Sequence, residues 1–109
     1  MNEVCLGNNV VLSDYIYISD VSHGIKIFPN KSIMEQQWES PGKVVIGEGT
    51  FLGHGVKILP NVELGKNCIV ASGSIVTKSF PDYCMLSGIP AKIIKKYCFI
   101  IDDWIKAND

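Results

Sequence analysis

The stretch from Ile46 to Pro81 divides into six hexapeptides in one frame: IGEGTF, LGHGVK, ILPNVE, LGKNCI, VASGSI and VTKSFP. The first position of every hexapeptide is aliphatic, and the fifth position is small or β-branched except at Phe80. The same frame recurs nearer the start of the chain, where LGNNVV, LSDYIY and ISDVSH cover residues 6–23. A six-residue repeat therefore covers about half of the sequence.

A period of six fits neither a helix nor a simple alternating strand, but it fits a short strand followed by a tight turn. The aliphatic first residue and the small fifth residue then enter the core, and glycine or asparagine in the turn tolerates a positive φ. Three such units make one triangular coil of a parallel β-helix. We predict an all-β fold with one coil over residues 6–23 and two coils over residues 46–81. An ordinary β-sandwich is less compatible with nine hexapeptides in frame.

Two segments lie outside the repeat. Residues 24–45 read GIKIFPNKSIMEQQWESPGKVV, and we predict one long inserted loop, a length that is usually functional or disordered. Residues 82–109 are expected to cap the open end of the solenoid. Within this cap we predict a short C-terminal helix, formed by Phe99, Ile100, Asp103, Trp104 and Ile105. The whole chain, residues 1–109, is expected to form a single domain.

Composition narrows the classes of partner. The net charge of −1 gives no reason to expect nucleic acid or an anionic membrane. No apolar run approaches the ~20 residues of a membrane span, and the start MNEVCLGNN lacks the features of a signal peptide. The four cysteines show no CxxC pair and no close pairing with histidine. We therefore expect reduced thiols in the cytoplasm and no metal site.

In their order, these segments resemble the hexapeptide-repeat acyltransferases, whose fold is a left-handed parallel β-helix. The matching segments are SDVSHG, the run VVIGEGTFLGHGVKILPNVELGKNCIVASGSIVTKSFP, SGIPAKIIKKY and the insertion just after His23. The likeness is strongest to O-acetyltransferases of sugars and bacterial surface polysaccharides, with maltose, galactoside and xenobiotic acetyltransferases as relatives. It covers roughly residues 4–97. The sequence departs from the family pattern at Phe51 and Asn61, where tryptophan and glycine are usual.

The resemblance implies an acetyl-CoA-dependent O-acetyltransferase that acts on a saccharide hydroxyl as a homotrimer. Such a transfer needs a group that removes the hydroxyl proton, and a histidine titrates in the suitable range. His23 is at the outward-pointing sixth position of its hexapeptide, at the base of the insertion. From the residues alone, a surface histidine at a turn stays open. The resemblance makes His23 the catalytic base, and Asp20 either orients its imidazole or is an ordinary turn aspartate.

The resemblance also implies that acetyl-CoA, as co-substrate, lies extended along the coils. The residues that correspond to its binding site are Gly53, His54, Ala71, Ser72, Thr77 and Lys78. Lys92 and Lys95 could pair with the nucleotide phosphates, since lysine acts as a point charge for such groups. For these lysines, and more so for Lys96, a solvated surface position is the competing interpretation. His54 is the second candidate for the base.

Two other functions stay open at this stage. Relatives normally carry further coils or a helical segment upstream of LGNNVV, so a truncated, non-catalytic scaffold or binding module is one alternative. Transfer to the amine of an amino sugar is the other, because it uses much the same site. Trp38, inside the insertion, could stack on a sugar ring or pack against the neighbouring coil.

Overall fold

A computed structural model describes residues 3–20 and 42–107 in full, and the backbone of residues 22–23 and 38–39. These residues form strands and turns, and none of them belongs to a helix. No part of the chain described here therefore forms a helix that could cross a membrane. The strands are β1 (Val4–Leu6), β2 (Val11–Leu12), β3 (Tyr17–Ile18), β4 (Ser22–His23), β5 (Trp38–Glu39), β6 (Val44–Ile46), β7 (Phe51–Leu52), β8 (Lys57–Ile58), β9 (Glu63–Leu64), β10 (Ile69–Val70), β11 (Ile75–Val76), β12 (Cys84–Gly88), β13 (Ala91–Cys98) and β14 (Asp103–Lys106).

The strands stack in parallel to form the three faces of a β-helix. The first face contains β1, β6 and β9, the second contains β2, β7, β10 and β12, and the third contains β3, β8 and β11. Phe51 pairs with Ile69, the residue that lies three hexapeptides further along the chain. Val11 also pairs with Phe51, and the chain between them contains three hexapeptides and the insertion of residues 24–45. One coil is therefore three hexapeptides, as the repeat frame predicts, and the insertion leaves the stacking of the coils unchanged.

The first and fifth positions of the hexapeptides form the core, as predicted. In the two inner coils, residues 46–81, both positions are buried throughout. The first-position residues are Ile46, Leu52, Ile58, Leu64, Val70 and Val76, and the fifth-position residues are Thr50, Val56, Val62, Cys68, Ser74 and Phe80. Because neighbouring strand residues point to opposite sides, Lys57 and Glu63 lie on the exposed side of the sheets.

The corners are tight turns in which the fourth hexapeptide position adopts a positive φ. The φ angle is 73° at Gly49 and 52° at Asn67, and glycine and asparagine tolerate this conformation best. The second position allows adjacent coils to approach closely. A Cβ added to Gly47 would lie 2.3 Å from the carbonyl oxygen of Gly65. Backbone packing between coils therefore explains the glycines at this position.

The last turn of the repeat is shorter than the frame predicts. Leu64 forms a parallel bridge with Phe80, whereas a full coil would place Asp82 beside it. Ile69 likewise pairs with Met85, where a full coil would place Ser87. Phe80 therefore stacks on a first-position residue, which explains why an aromatic ring fits there. β12 then continues the second face beyond Pro81, so part of the predicted cap is a further strand of the β-helix.

The predicted C-terminal helix is wrong. Asp103–Lys106 forms a strand, β14, that pairs antiparallel with β13, and β13 pairs antiparallel with β12. Apolar spacing over so short a run does not distinguish a helix from a strand. The open edge of β13 offers backbone hydrogen-bond partners, which favours the strand. The cap is therefore a β-hairpin added to the second face.

The insertion has a short two-stranded ribbon at its base. β4 pairs antiparallel with β5, which places His23 opposite Trp38 and Ser22 opposite Glu39. The predicted loop therefore contains a strand, and β6 already begins at Val44, near the predicted end of the loop. Residues 24–37 and 40–41 lie outside the described part of the chain.

Candidate functional site

Four of the predicted coenzyme-binding residues lie together at one corner of the β-helix. We call the turns that follow β2, β7 and β10 the second corner. Gly53 and His54 lie in one of these turns, and Ala71 and Ser72 lie in the turn stacked on it. The Gly73 N–H donates to the His54 carbonyl oxygen over 2.8 Å, and a Cβ on Gly53 would lie 2.9 Å from Ser72 Oγ. The His54 and Ser72 side chains are exposed at this corner.

Thr77, Lys78 and Asp20 lie at a different corner. We call the turns that follow β3, β8 and β11 the third corner. Thr77 and Lys78 follow β11 and are exposed, and the Lys78 ammonium is 5.6 Å from the centre of the Phe80 ring. Asp20 follows β3, and only 6% of its surface is exposed. β3, β8 and β11 stack in register, so Asp20 and Lys78 are separated by two strand spacings, about 10 Å.

The third face therefore connects the two groups of predicted residues. The chain crosses from Ala71 and Ser72 to Thr77 and Lys78 through β11, a short strand. A ligand lying along this face would contact both corners. The structure thus brings the six turn residues of the predicted coenzyme site to the two ends of one face.

The cap brings lysines towards the second corner. The Gly88 N–H donates to Ser74 Oγ over 3.1 Å, which attaches the end of β12 to that corner. Lys92 pairs with Ser87, next to this attachment, whereas Lys95 pairs with Met85 further along β13. Both lysines are exposed. Lys92 is therefore better placed than Lys95 to reach a ligand at the second corner.

His23 lies on the ribbon at the base of the insertion. Its backbone follows the third corner, shortly after Asp20, and it pairs with Trp38 in the opposite strand. The sequence alone did not bring His23 and Trp38 together, because the insertion lacks a repeat from which to read the pairing. The positions of their side chains lie outside what the structure describes.

Tyr15 is a neighbour of the candidate site that the sequence interpretation missed. Its ring is 5.3 Å from the His54 ring, nearly perpendicular to it, and 83% of its surface is exposed. Its φ is 60°, the conformation that the fourth hexapeptide position adopts in most turns of the coils and that costs a bulky residue free energy. The signal was visible in the repeat, since Tyr15 occupies the fourth position, where glycine or asparagine is usual.

The described residues include no group of three histidine, cysteine, aspartate or glutamate side chains that could hold a metal ion. The exposed polar groups near the two corners are hydroxyls, an imidazole, ammonium groups and the carboxylate of Asp14. The hydroxyls and ammonium groups suit a ligand that carries both hydrogen-bonding amides and phosphates.

Known proteins share both the repeat and the fold. Residues 43–78 match the family described as bacterial transferase hexapeptide (six repeats). WbbJ of Escherichia coli (strain K12), assigned as a lipopolysaccharide biosynthesis O-acetyl transferase, is 31% identical over 117 aligned residues, which cover 98% of this chain and 57% of WbbJ. The galactoside O-acetyltransferase of Lactococcus lactis subsp. lactis (strain IL1403) is 33% identical over 94 residues, which cover 86% of this chain and 44% of that enzyme.

A solved structure has the same architecture. A galactoside acetyltransferase in complex with coenzyme A superposes with a TM-score of 0.76 at 24% identity, over 95% of this chain and 53% of that chain. The fold is thus the left-handed parallel β-helix that the resemblance implied. This fold is the one that characterises the hexapeptide-repeat transferases. The chain belongs to the hexapeptide-repeat transferase family. It spans about half the length of the curated relatives it matches.

Proposed function

We propose that this chain forms the β-helix of an acetyl-CoA-dependent O-acetyltransferase that acts on a saccharide hydroxyl. The observation that carries the proposal is the grouping of the predicted coenzyme residues at the two ends of the third face, next to the base of the insertion, where His23 lies. The names of the relatives, a lipopolysaccharide biosynthesis O-acetyl transferase and a galactoside O-acetyltransferase, support the reaction and the acceptor class.

In this proposal the coenzyme lies along the third face. Ala71 and Ser72 contact it at one end of the face, and Thr77 and Lys78 contact it at the other. Gly53 leaves room at the second corner, since a Cβ there would already crowd Ser72. Lys92 and Lys95 pair with phosphates as exposed point charges. The thioester of acetyl-CoA supplies the activated acetyl group.

His23 acts as the general base. The acceptor hydroxyl gives its proton to the neutral imidazole while the hydroxyl oxygen attacks the acetyl carbonyl. The C–S bond of the thioester then breaks, the thiol of coenzyme A leaves with the proton that the imidazolium returns, and the acceptor keeps the acetyl group as an ester. Asp20 shortly precedes His23 in the sequence and is buried at the third corner. In this proposal its carboxylate orients the imidazole or the turn that carries it. His54, beside Tyr15, lines the coenzyme site.

The protein is proposed to work as a homotrimer in the cytoplasm. The first coil exposes several large apolar side chains, and association of subunits would bury them. Of these, Val11, Tyr15 and Tyr17 lie outside the first and fifth positions that point into the coil. Polysaccharide biosynthesis is the process that fits an acceptor of this class.

Substitution of His23 tests the proposal. We expect His23→Ala to lower kcat for transfer to a sugar acceptor about 100- to 10,000-fold, because a general base contributes that factor. Activity of the unmodified protein should fall in acid, because a protonated imidazole cannot accept the hydroxyl proton. The matched control is His54→Ala, which should raise KM for acetyl-CoA while it changes kcat less. Undiminished turnover by His23→Ala would remove His23 from the mechanism.

Two further measurements separate the alternatives. A product acetyl group that mild alkali removes is an ester, whereas one that resists is an amide and would favour transfer to an amino sugar. Calorimetric titration with acetyl-CoA tests for the coenzyme site itself. No binding at millimolar coenzyme would favour a scaffold or a binding module without catalytic activity.

A further inference from the structure

A pocket of about 250 Å³ lies between the β-helix and the C-terminal hairpin. Its lining residues are Asn67, Tyr83, Tyr97, Phe99 and Trp104, and we call it the aromatic pocket. None of these residues belongs to the proposed acetyl-transfer site. We propose that the aromatic pocket is a second saccharide-binding site, which takes one uncharged sugar ring of a longer acceptor chain. This inference rests on the proposed function for its ligand class.

Two elements build the aromatic pocket. Asn67 lies in the turn between β9 and β10, and Tyr83 lies one coil further on, immediately before β12. The other three rings come from the hairpin, where Tyr97 pairs with Trp104 across β13 and β14. The Tyr97 N–H donates to the Tyr83 carbonyl oxygen over 3.1 Å, which attaches the hairpin to the coil. The pocket therefore depends on the strand that replaces the expected C-terminal helix.

The four rings hold one another in a fixed arrangement. Phe99 lies 4.9 Å from Tyr83 and 4.8 Å from Tyr97, measured between ring centres, and Tyr97 lies 5.3 Å from Trp104. All three contacts are edge-to-face, the geometry in which aromatic rings attract one another. The aromatic surface thus exists before any ligand arrives, so a ligand would lose little free energy in ordering it.

Polar groups accompany the rings. The Tyr97 hydroxyl donates to Asp102 Oδ1 over 2.5 Å, which fixes the phenol at one side of the pocket. Within the described residues, the side-chain amide of Asn67 and the Tyr83 hydroxyl make no hydrogen bond, so their donors and acceptors are available to a ligand. Apolar rings with a few hydrogen-bonding groups suit a sugar, which presents C–H groups on its faces and hydroxyls around its edge.

Charged groups of both signs lie near the pocket. The hydrogen bond to Asp102 raises the pKa of Tyr97, and burial and the negative charges of Asp102 and Asp103 raise it further. Lys95 and Lys106 form a cross-strand pair next to the Tyr97–Trp104 pair. An uncharged sugar ring needs neither charge as a partner.

The aromatic pocket shares no residue with the proposed coenzyme site. Lys92 and Tyr97 occupy opposite ends of β13, a separation that corresponds to about 17 Å along a strand, whereas Lys95 is two residues, or about 7 Å, from Tyr97. A saccharide chain bound at the pocket would be retained by the protein while another of its rings reacts elsewhere. We therefore expect the pocket to affect the affinity for longer acceptors and not the transfer step.

Trp104 provides the signal for the test. In a Trp38→Phe background Trp104 is the single tryptophan of the chain, and its emission is titrated with methyl glycosides of glucose and galactose and with their oligosaccharides. We expect saturable changes with dissociation constants in the millimolar range. Phe99→Ala should weaken binding at least about fivefold, as expected for the loss of an aromatic contact. Phe99 is 63% exposed, so this substitution should leave the fold intact.

Two variants sharpen the result. Asn67→Gly removes the amide but tolerates the φ of 52°, and it should also weaken sugar binding. Ile100→Ala alters the neighbouring turn residue, which is 95% exposed and does not line the pocket, and it should bind like the parent. Binding that is unchanged in Phe99→Ala, or no response to any saccharide, overturns the proposal. A response to tetramethylammonium or adenosine in place of sugars overturns it as well.

Acetyl-transfer assays keep the two proposals distinguishable. Phe99→Ala should leave transfer to a monosaccharide unchanged and raise KM for an oligosaccharide. Saturable sugar binding at Trp104 without any acetyl transfer would refute the proposed function and leave the pocket standing. Transfer that proceeds without any binding at Trp104 would refute the pocket alone.

Discussion

The first coil and the two inner coils follow the same hexapeptide pattern but bury it to different extents. On the second face, Leu12 of the first coil pairs directly with Leu52 of the next coil. Leu52 is fully buried, whereas Leu12 is 42% exposed. Leu6 and Ile46 form a similar pair on the first face, where Leu6 is exposed and Ile46 is buried. Equivalent residues at equivalent positions therefore differ in what surrounds them.

The difference shows how burial is determined in this fold. Each coil contacts only its neighbours, so the repeat determines which side chains point inward and the adjacent coils determine how fully they are covered. Leu52 has strands on both sides, β2 and β10. Within the described residues, Leu12 has a strand on one side only. Stability should therefore be concentrated in the inner coils.

Substitution of this leucine pair tests the comparison with the largest expected effect. We expect Leu52→Ala to lower the free energy of unfolding by about 2–5 kcal/mol, because it removes buried methyl groups and leaves a cavity. Leu12→Ala is the matched control and should cost less than half as much, since its side chain is already partly in water. Urea unfolding followed by circular dichroism measures both. Equal losses would mean that the first coil is covered as well as the inner ones.

The repeat predicted the inner coils well for the same reason. Side chains at the first and fifth positions meet identical positions in the next coil, so one local pattern describes the whole stack. Phe80 departs from the pattern because the last turn is shorter than the others. Its bridge to Leu64 is a contact between coils, which the hexapeptide pattern alone does not predict. The C-terminal hairpin was missed because strand and helix compete over a short run, and the available edge of β13 determines the outcome.

The candidate site was predictable where it lies on the repeat. The stacking of Gly53 and His54 on Ala71 and Ser72 follows from their positions in the frame. The pairing of His23 with Trp38 does not, because it depends on how the insertion returns to its base. The aromatic pocket could not be predicted from the sequence either, because its lining combines Asn67 from a turn of the β-helix with Trp104 from the hairpin. Contacts between repeat and non-repeat segments are therefore the ones that need a structure.

A polar connection between the inner coils gives the second prediction. The buried Thr50 hydroxyl donates to the Gly65 carbonyl oxygen over 2.9 Å and accepts from the Cys68 N–H over 3.1 Å. The equivalent residue of the first coil is Val10. Thr50→Val should lower the free energy of unfolding by about 1–3 kcal/mol, because it leaves buried backbone groups without their partner. Denaturant unfolding measures the loss.

The control makes the same chemical change on the surface. Thr77 is exposed, so Thr77→Val should alter the free energy of unfolding by no more than about 0.5 kcal/mol. If Thr50→Val is as stable as the parent, the hydroxyl does not contribute to the cohesion of the inner coils. The greater stability expected of the inner coils than of the first coil would then come from apolar burial alone.

The smallest expected effect comes from the thiols of the inner region. Cys68 and Cys84 are buried, and burial is the main cause that raises the pKa of both thiols above the ordinary 9.0. The folded protein then keeps these protons at a pH where the unfolded chain loses them. The stabilisation is therefore complete below pH 9.0, and the free energy of unfolding falls as pH rises through the raised pKa values.

Unfolding at a series of pH values measures this effect. Between about pH 9 and pH 10 the free energy of unfolding should decline, and Cys84→Ala should show a shallower decline than the parent because one of the two buried thiols is absent. Cys5 in the first coil also has a raised thiol pKa. Its contribution to the pH dependence is the same in Cys84→Ala and the parent, so it cancels when the two are compared. In the native state, Ellman's reagent should reach the half-buried Cys5 and Cys98 before the buried pair. One contradicting result is an equal decline of the free energy of unfolding with pH in Cys84→Ala and the parent, and the other is reaction of all four thiols with Ellman's reagent at the same rate. Together these two results would mean that the inner coils open as readily as the first coil.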